Sequence, residues 1–536
     1  MCGIFGYAGS REAVPIVRDG LIQLEYRGYD SAGIAADKVV KGVGTISDLD
    51  LSPLHGNVAI GHTRWATNGP VTCVNAHPHV VGSVAVVHNG VITNHESLRD
   101  GAPFVSDTDT EVIAYLINRD LAFGFVESCR RAFRAIDGDY AILAKHGDTI
   151  VGSRRELPLV VGVRDDGVLF SSDVRPLSDT NVMYLRNSDI VVADPAGLKV
   201  YDSSGEEVHR GTVRFSADPL VIPTDQHYML REIVDQASVV RATMSQDRSM
   251  IHLIRDCLDG ATIVACGSSY YAGLVGKYLL AGRGIHVDVA MASEFCNFVA
   301  PELVLAISQS GETADVLSAI KGTNTIGITN VRESRLATAC DDLLLLAAGS
   351  EYCVLSTKTY TAQVALFALI ADPEYDFEPL VSDIYNLTSK SFRDRVGVIA
   401  RLLSDHDHVY IIGRGTLYPT ALEAALKIKE ASYIHAEGFA SGELKHGPIT
   451  LISEGTPVIA LGHDDPAIDQ VKSRGAVVIG VSNERHPGFD YWIKVPNSFD
   501  PITHIIPMQL LAYELALLRG CNPDRPRNLA KCVTVP

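Results

Sequence analysis

Over the first 215 residues, short apolar runs predict strands at 58–60, 84–88, 140–145, 150–153, 159–163 and 169–171. Tight turns rich in glycine and aspartate at 145–148 and 164–167 favour antiparallel hairpins between them. Longer amphipathic stretches predict helices at 14–25, 109–123 and 126–136, which gives an α+β pattern of sheets covered by helices. Two prolines and weak periodicity mark 216–226 as a linker. Beyond it the pattern becomes strand, small-residue loop, helix: 262–265, 266–269 and 270–281; then 303–307, 308–313 and 314–321; then 409–412, 413–416 and 419–435. Such units build doubly wound parallel sheets. The strand–loop pairs near 262 and 303 return near 409 and 457, so two similar domains are expected in tandem. A polar, irregular stretch at 374–387 separates them. The expected boundaries are 2–216, a linker at 217–228, 229–380, 381–520 and a tail at 521–536.

Composition changes this picture little. A chain of 536 residues with 46% hydrophobic and 21% charged residues is that of a folded multidomain protein. No run of about 18 apolar residues suggests a membrane span, and the first residues lack the basic and apolar regions of a signal peptide. A cytoplasmic location is therefore expected. The formal charge of −18 argues against nucleic acid and anionic membranes as partners. Ten scattered cysteines offer no zinc-like spacing, and nine of them are expected to be buried small apolar residues. His77-Pro78-His79 is too sparse to imply a metal, and the first half has no glycine-rich dinucleotide loop; no cofactor is expected.

Cys2 is the exception among the cysteines. Removal of the initiator Met would leave its thiol and a free α-amine on one residue, and an amine titrating near 7.7–8.0 can take the thiol proton. Cys2-Gly3-Ile4-Phe5-Gly6 opens a series that continues with 27–31 (RGYDS), 62–67 (HTRWAT), 88–90 (HNG) and 107–111 (DTDTE). In these blocks the chain resembles the class II glutamine amidotransferases, whose nucleophile is an N-terminal cysteine. Glutamine presents a carboxylate and an ammonium, which Arg64 and Asp109 can hold. The resemblance makes the Asn89 side chain and the Gly90 N–H the oxyanion donors, Arg27 and Thr67 site-lining residues, and Trp65 the gate of an ammonia channel. Out of this context Asn89-Gly90 is a hairpin turn, and Asp109 is a helix cap.

In the second half, two hydroxyl-rich loops precede helices: Ser268-Ser269, and Ser308-Gln309-Ser310 with Thr313. Backbone N–H groups and hydroxyls at such loops suit a phosphate. Ser-x-Ser-Gly-Glu-Thr resembles sugar isomerase (SIS) domains. Two of these behind a glutaminase is the layout of the isomerizing glutamine–fructose-6-phosphate aminotransferase family. That resemblance adds Val354, Ser356 and Ala530 to the sugar-phosphate contacts. It makes Glu430 the acid/base of the proton shift, with Lys427 three residues away on one helix face. His446 becomes the ring-opening residue, and Lys531, in a tail completing the synthase site, the amine that forms a Schiff base. The substrates implied are glutamine and fructose 6-phosphate, and the assembly implied is a homodimer in which His446 can serve the neighbouring subunit. The fold implied is an N-terminal-nucleophile glutaminase sandwich followed by two α/β doubly wound SIS domains.

The chain is shorter than typical members of that family, with the loss around the linker, and Asn68 stands where many relatives have His. A short linker leaves little room for feedback regulation. Two alternatives stay open: an aminotransferase or deglycase acting on another sugar phosphate, and a sugar-phosphate-binding regulator.

Overall fold

The computed structural model describes residues 2–66, 69–99, 101–215, 227–295, 301–332 and 334–533. Most of the expected linker, and Thr67, Asn68 and Cys296, fall outside the described residues. The chain forms two compact units, 1–220 joined by 530–535, and 221–529.

Two antiparallel sheets form the N-terminal unit. The larger has eight strands, with Gly3–Gly9 between Val58–Arg64 and Gly167–Ser171. The smaller has six, with Val84–Ile92 beside Gly138–His146. Alternation along each strand decides the layers. Ile4, Val58, Ile60, Ala85, Val87, Ala141 and Leu143 meet in a core between the sheets. The opposite phase of the first sheet, Phe5, Tyr7 and Ala59, packs under helix Ala13–Leu24. The opposite phase of the second, Val84, Val86 and Tyr140, packs under helices Glu111–Arg119 and Phe125–Ala135. The expected hairpins are present: Gly138–His146 pairs antiparallel with Thr149–Arg155, and Val160–Arg164 with Gly167–Ser171.

The second unit holds two five-stranded parallel sheets. The first runs Asp288–Met291, Thr262–Ala265, Val304–Ile307, Thr325–Thr329, Asp342–Leu345. The second runs His435–Ala440, His408–Gly413, Pro457–Leu461, Val477–Ser482, Tyr491–Lys494. Both follow the order 2-1-3-4-5, which is the tandem duplication expected from the echo at 409 and 457. In this order the strand direction of growth reverses between the first and third strands, where ligands bind at the carboxyl ends. The loops leaving Thr262–Ala265 and Val304–Ile307 are the two hydroxyl-rich ones.

Several expectations are corrected. The stretch at 374–387 is not irregular: Glu378–Leu387 is a helix whose Leu380, Val381, Ile384 and Leu387 are buried. The helix expected to reach residue 435 ends at Ser432, where Tyr433 turns left-handed, and His435 begins a strand. Ser268 and Ser269 lie in the first turn of helix Gly267–Ala281 and not ahead of it. Among the described cysteines expected to be buried, Cys129, Cys353 and Cys532 are, while Cys73 and Cys257 are exposed. The helix Asp500–Leu518 is long and apolar enough to cross a membrane, but 83% of that stretch is buried inside the protein.

Candidate active sites

Cys2 stands at the start of the central strand of the larger sheet, and Asn89 on an inward-facing position of the smaller one. Gly3 opposes Thr63, and a Cβ at Gly3 would come within 2.6 Å of the Thr63 hydroxyl, so only glycine lets the chain close here. Asn89 Nδ2 donates to the Cys2 carbonyl at 2.9 Å, and Arg27 Nε donates to the same oxygen at 3.0 Å. The Cys2 Sγ lies 3.4 Å from the Trp65 N–H and 3.6 Å from the Trp65 carbonyl. Arg27 is itself pinned by Asp173, 3.4 Å away. Burial would raise the Asp173 carboxyl, but Arg175 and Arg27 hold it below its usual range. The buried Cys532 also lies close enough to Arg27 to interact with its charge.

Arg64 is buried and donates to the carbonyls of Gly69 and Pro70. Burial lowers its guanidinium, and the opposing charges of Cys2, Asp30 and Asp109 show that these groups share one neighbourhood. Asp109 differs from its expected capping role. The helix it was to cap starts at Glu111 behind Thr110, and the Asp109 carboxylate instead accepts the Ile92 N–H at 2.7 Å. Gly90 has φ 124°, and a Cβ there would stand 2.0 Å from the Asp139 carbonyl, so its N–H is presented in a conformation reserved for glycine.

Sequence reasoning passed over His62. Its Nε2 lies 3.0 Å from the His88 carbonyl and 3.1 Å from Asn89 Oδ1. Both are acceptors, so Nε2 carries the proton and holds the Asn89 amide with its NH2 toward Cys2. Burial pushes the His62 imidazole down to about 3, which keeps it neutral. The signal was present: 58, 60 and 62 alternate inward, and a histidine takes the third of these core positions. His77 stacks on His62 with centroids 4.0 Å apart, and His79 Nε2 pairs with Thr108 Oγ1 at 3.0 Å. This pair builds a wall against His62.

In the second unit the site forms where helix Leu417–Ser432 meets the Ser268 turn. Lys427 Nζ lies 2.5 Å from Glu430 and 3.6 Å from Glu423. Glu423, also passed over, is fully buried, and burial pushes its carboxyl up to about 8. Burial alone would lower the Lys427 ammonium, but Glu423 and Glu430 outweigh it and hold it above its usual range. Lys427 thus stands between two carboxyls, closer to Glu430 than to the buried Glu423. The spacing Glu423, Lys427, Glu430 puts all three on one face, which is the signal that could have found it.

Elsewhere in this unit, Ser269 Oγ accepts from Gln363 at 3.0 Å. Ser308 Oγ pairs with Thr313 Oγ1 at 2.9 Å and accepts the Gly311 N–H at 3.0 Å. Ser310 Oγ accepts the Glu312 N–H, and the Gln309 carbonyl accepts the Asn330 N–H. Ser356 pairs with Thr359 at 2.8 Å, and the Val354 N–H reaches the Asp524 carbonyl at 3.4 Å. His446 ends an exposed turn, with no side-chain hydrogen bond or ion pair among the described residues. Ala530 and Lys531 cluster with the N-terminal unit.

Comparison with known proteins follows the same division. Residues 1–224 match the glutamine amidotransferase domain family, and residues 259–372 and 402–519 each match the SIS domain family. The chain is 37% identical to the isomerizing glutamine–fructose-6-phosphate aminotransferase of Clostridium acetobutylicum over 608 aligned positions, covering 100% of both. It is 38% identical to the protein of that name from Methanothermobacter thermautotrophicus over 594 positions, again covering 100% of both. Both alignments exceed the 536 residues of this chain, so these relatives carry segments that it lacks. The C-terminal domain of glucosamine-fructose-6-phosphate aminotransferase from Francisella tularensis is a structural match at TM-score 0.50 and 30% identity. It covers 56% of this chain and 99% of its own. Tagatose-6-phosphate ketose/aldose isomerase from Escherichia coli, at TM-score 0.51 and 18% identity over 59% of this chain and 98% of its own, shares the fold alone.

Proposed function

The chain belongs to the isomerizing glutamine–fructose-6-phosphate aminotransferases, and on that premise we propose how its residues divide the work. The enzyme hydrolyses glutamine and transfers the nitrogen to fructose 6-phosphate, which leaves as glucosamine 6-phosphate. In the N-terminal-nucleophile unit the α-amine of processed Cys2 takes the thiol proton, and the thiolate attacks the side-chain amide of glutamine. Arg64 and Asp109 hold the carboxylate and ammonium, with Arg27 and Thr67 lining the site. Asn89 and Gly90 stabilise the oxyanion, each donor being worth about 3 kcal/mol of barrier. Collapse expels ammonia past Trp65 and leaves a thioester that water hydrolyses to glutamate.

In the second unit the Ser268, Ser269, Ser308, Gln309, Ser310, Thr313 and Ser356 loops bind the sugar phosphate, with Val354 and Ala530 beside it. His446, contributed by the partner of a homodimer, opens the ring, and Lys531 holds the open keto sugar as a Schiff base. Ammonia replaces that amine at carbon two, and Glu430 moves the proton between carbons one and two while Lys427 steadies a substrate oxygen. We place the reaction in the cytoplasm.

The observation that carries this reading is the convergence on Cys2, whose carbonyl is gripped by Asn89 and Arg27 while its thiol faces the Trp65 backbone. The test incubates the protein with glutamine and fructose 6-phosphate and assays glutamate and glucosamine 6-phosphate. Cys2→Ala should abolish glutamine-dependent synthesis and keep sugar-phosphate isomerase activity. Loss of both in a folded variant would overturn the division of labour, and glutamate without amino sugar would point to another acceptor.

A further inference from the structure

The face of the smaller sheet turned away from Cys2 carries a second polar site. Helix Phe125–Ala135 and the strand ends beneath it enclose a cleft of about 140 Å³ lined by Arg130, Arg134, Tyr140, Ser153, Arg155 and Asp202 among others. Three guanidiniums thus converge in a chain with a formal charge of −18. Arg130 and Arg134 are four apart on one helix face, an arrangement of like charges that is unfavourable by itself. None of the three has a carboxylate within ion-pairing distance among the described residues, whereas their neighbour Arg131 pairs with Glu127 at 3.3 Å. Arg130 lies over the Tyr201 ring at 4.5 Å and Arg155 over the Tyr140 ring at 5.1 Å, which fixes their planes. The Nε of Arg130 is buried without a hydrogen-bond partner. Ser153, only 1% exposed, lines the cleft beside the Tyr140 phenol.

The one carboxylate in the lining, Asp202, has one of its two oxygens engaged. Asp202 Oδ1 accepts from the Ser204 N–H at 2.9 Å, the Ser204 hydroxyl at 2.5 Å and the Glu206 N–H at 3.1 Å. Three guanidiniums outnumber that single carboxylate, and among the described residues only Arg155 spends a donor on the protein backbone, Nη1 to the Ile136 carbonyl at 3.3 Å. Guanidinium forks match the oxygens of a phosphate group two at a time. A volume of about 140 Å³ falls below the 300 Å³ or more of pockets for drug-sized ligands, so the occupant is small. We propose that this cleft is a second anion site, independent of both catalytic centres, that takes a phosphate group, either free or as a small monoester.

Equilibrium dialysis of the full chain against labelled inorganic phosphate, and separately against glycerol 3-phosphate, at fixed ionic strength tests this. The wild type should show a site that survives Ser310→Ala/Thr313→Ala and weakens at least tenfold in Arg130→Gln/Arg155→Gln. Dependence on the arginines for phosphate alone identifies the free ion, and for the monoester alone the esterified one; either supports the site. Where the double variant does not fold, Arg134→Gln at the exposed rim should weaken the same site about threefold. Phosphate binding indifferent to all three arginines, or none beyond the site removed by Ser310→Ala/Thr313→Ala, would overturn the proposal.

Discussion

His62 and Glu423 share a circumstance: each is a titratable side chain where its element's pattern calls for an apolar one, and each touches a group with a proposed chemical role. For His62 that group is the Asn89 amide. Replacing it with Phe should lower the glutaminase kcat on the order of a hundredfold, since an oxyanion donor free to turn is worth little. The KM for glutamine should stay within about twofold, and His62→Gln, which keeps a donor, should recover part of the rate. A rise in KM with kcat unchanged would show that His62 shapes the glutamine pocket instead. Titration gives a second handle on the same wall. Burial depresses His62 to about 3, and lowers His77, His79 and His88 as well. Each is neutral in the fold and gains a proton on unfolding. Their stabilising contribution is therefore fully present above pH 6.5 and is lost as pH falls below it, for His62 down to about 3.

At the scale of elements, one tight constraint is the turn after strand Val304–Ile307. Gly311 has φ 67°, and a Cβ there would stand 2.0 Å from the Ser334 hydroxyl. Gly311→Ala should displace the Ser308–Thr313 loop and raise the KM for fructose 6-phosphate on the order of tenfold, with glutaminase activity unchanged. Unchanged sugar kinetics would remove this loop from the binding site. Elements were also where the sequence was most readable. Strands with clean alternation, such as 58–64 and 84–92, and the parallel units at 262 and 304 were found within a few residues. Helix ends were not: Ser432 stops its helix without glycine or proline, because Tyr433 adopts a left-handed conformation that tertiary packing supports. The polar surface of 374–387 hid the period of a helix that buries only one side. Side-chain partners lay further out of reach. Asp109 reads as a cap from its neighbours, and only the folded chain brings the Ile92 N–H to it.

For the molecule as a whole, the two parallel sheets look like separate domains by sequence, yet one hydrophobic cluster runs from Met229 to Ala516 through both. A domain in the physical sense owns its core, so these two should melt together. Calorimetry of the full chain is expected to show two transitions, one for each compact unit. The transition of the N-terminal unit should move down as pH falls below 6.5, with its four buried histidines. Three transitions, with the parallel-sheet bodies unfolding apart, would contradict the shared core. The same core assigns a schedule to synthesis. Helix Asp500–Leu518 contributes Ile502, Ile505, Ile506, Leu510 and Leu511 to it, against helix Tyr228–Val234, made more than 260 residues earlier. The glutaminase sheets need nothing from beyond residue 220 for their cores and can close while the ribosome is still at work. The parallel-sheet unit must wait with its interior open until that helix leaves the exit tunnel, so the interval in which it depends on chaperones is set by translation speed.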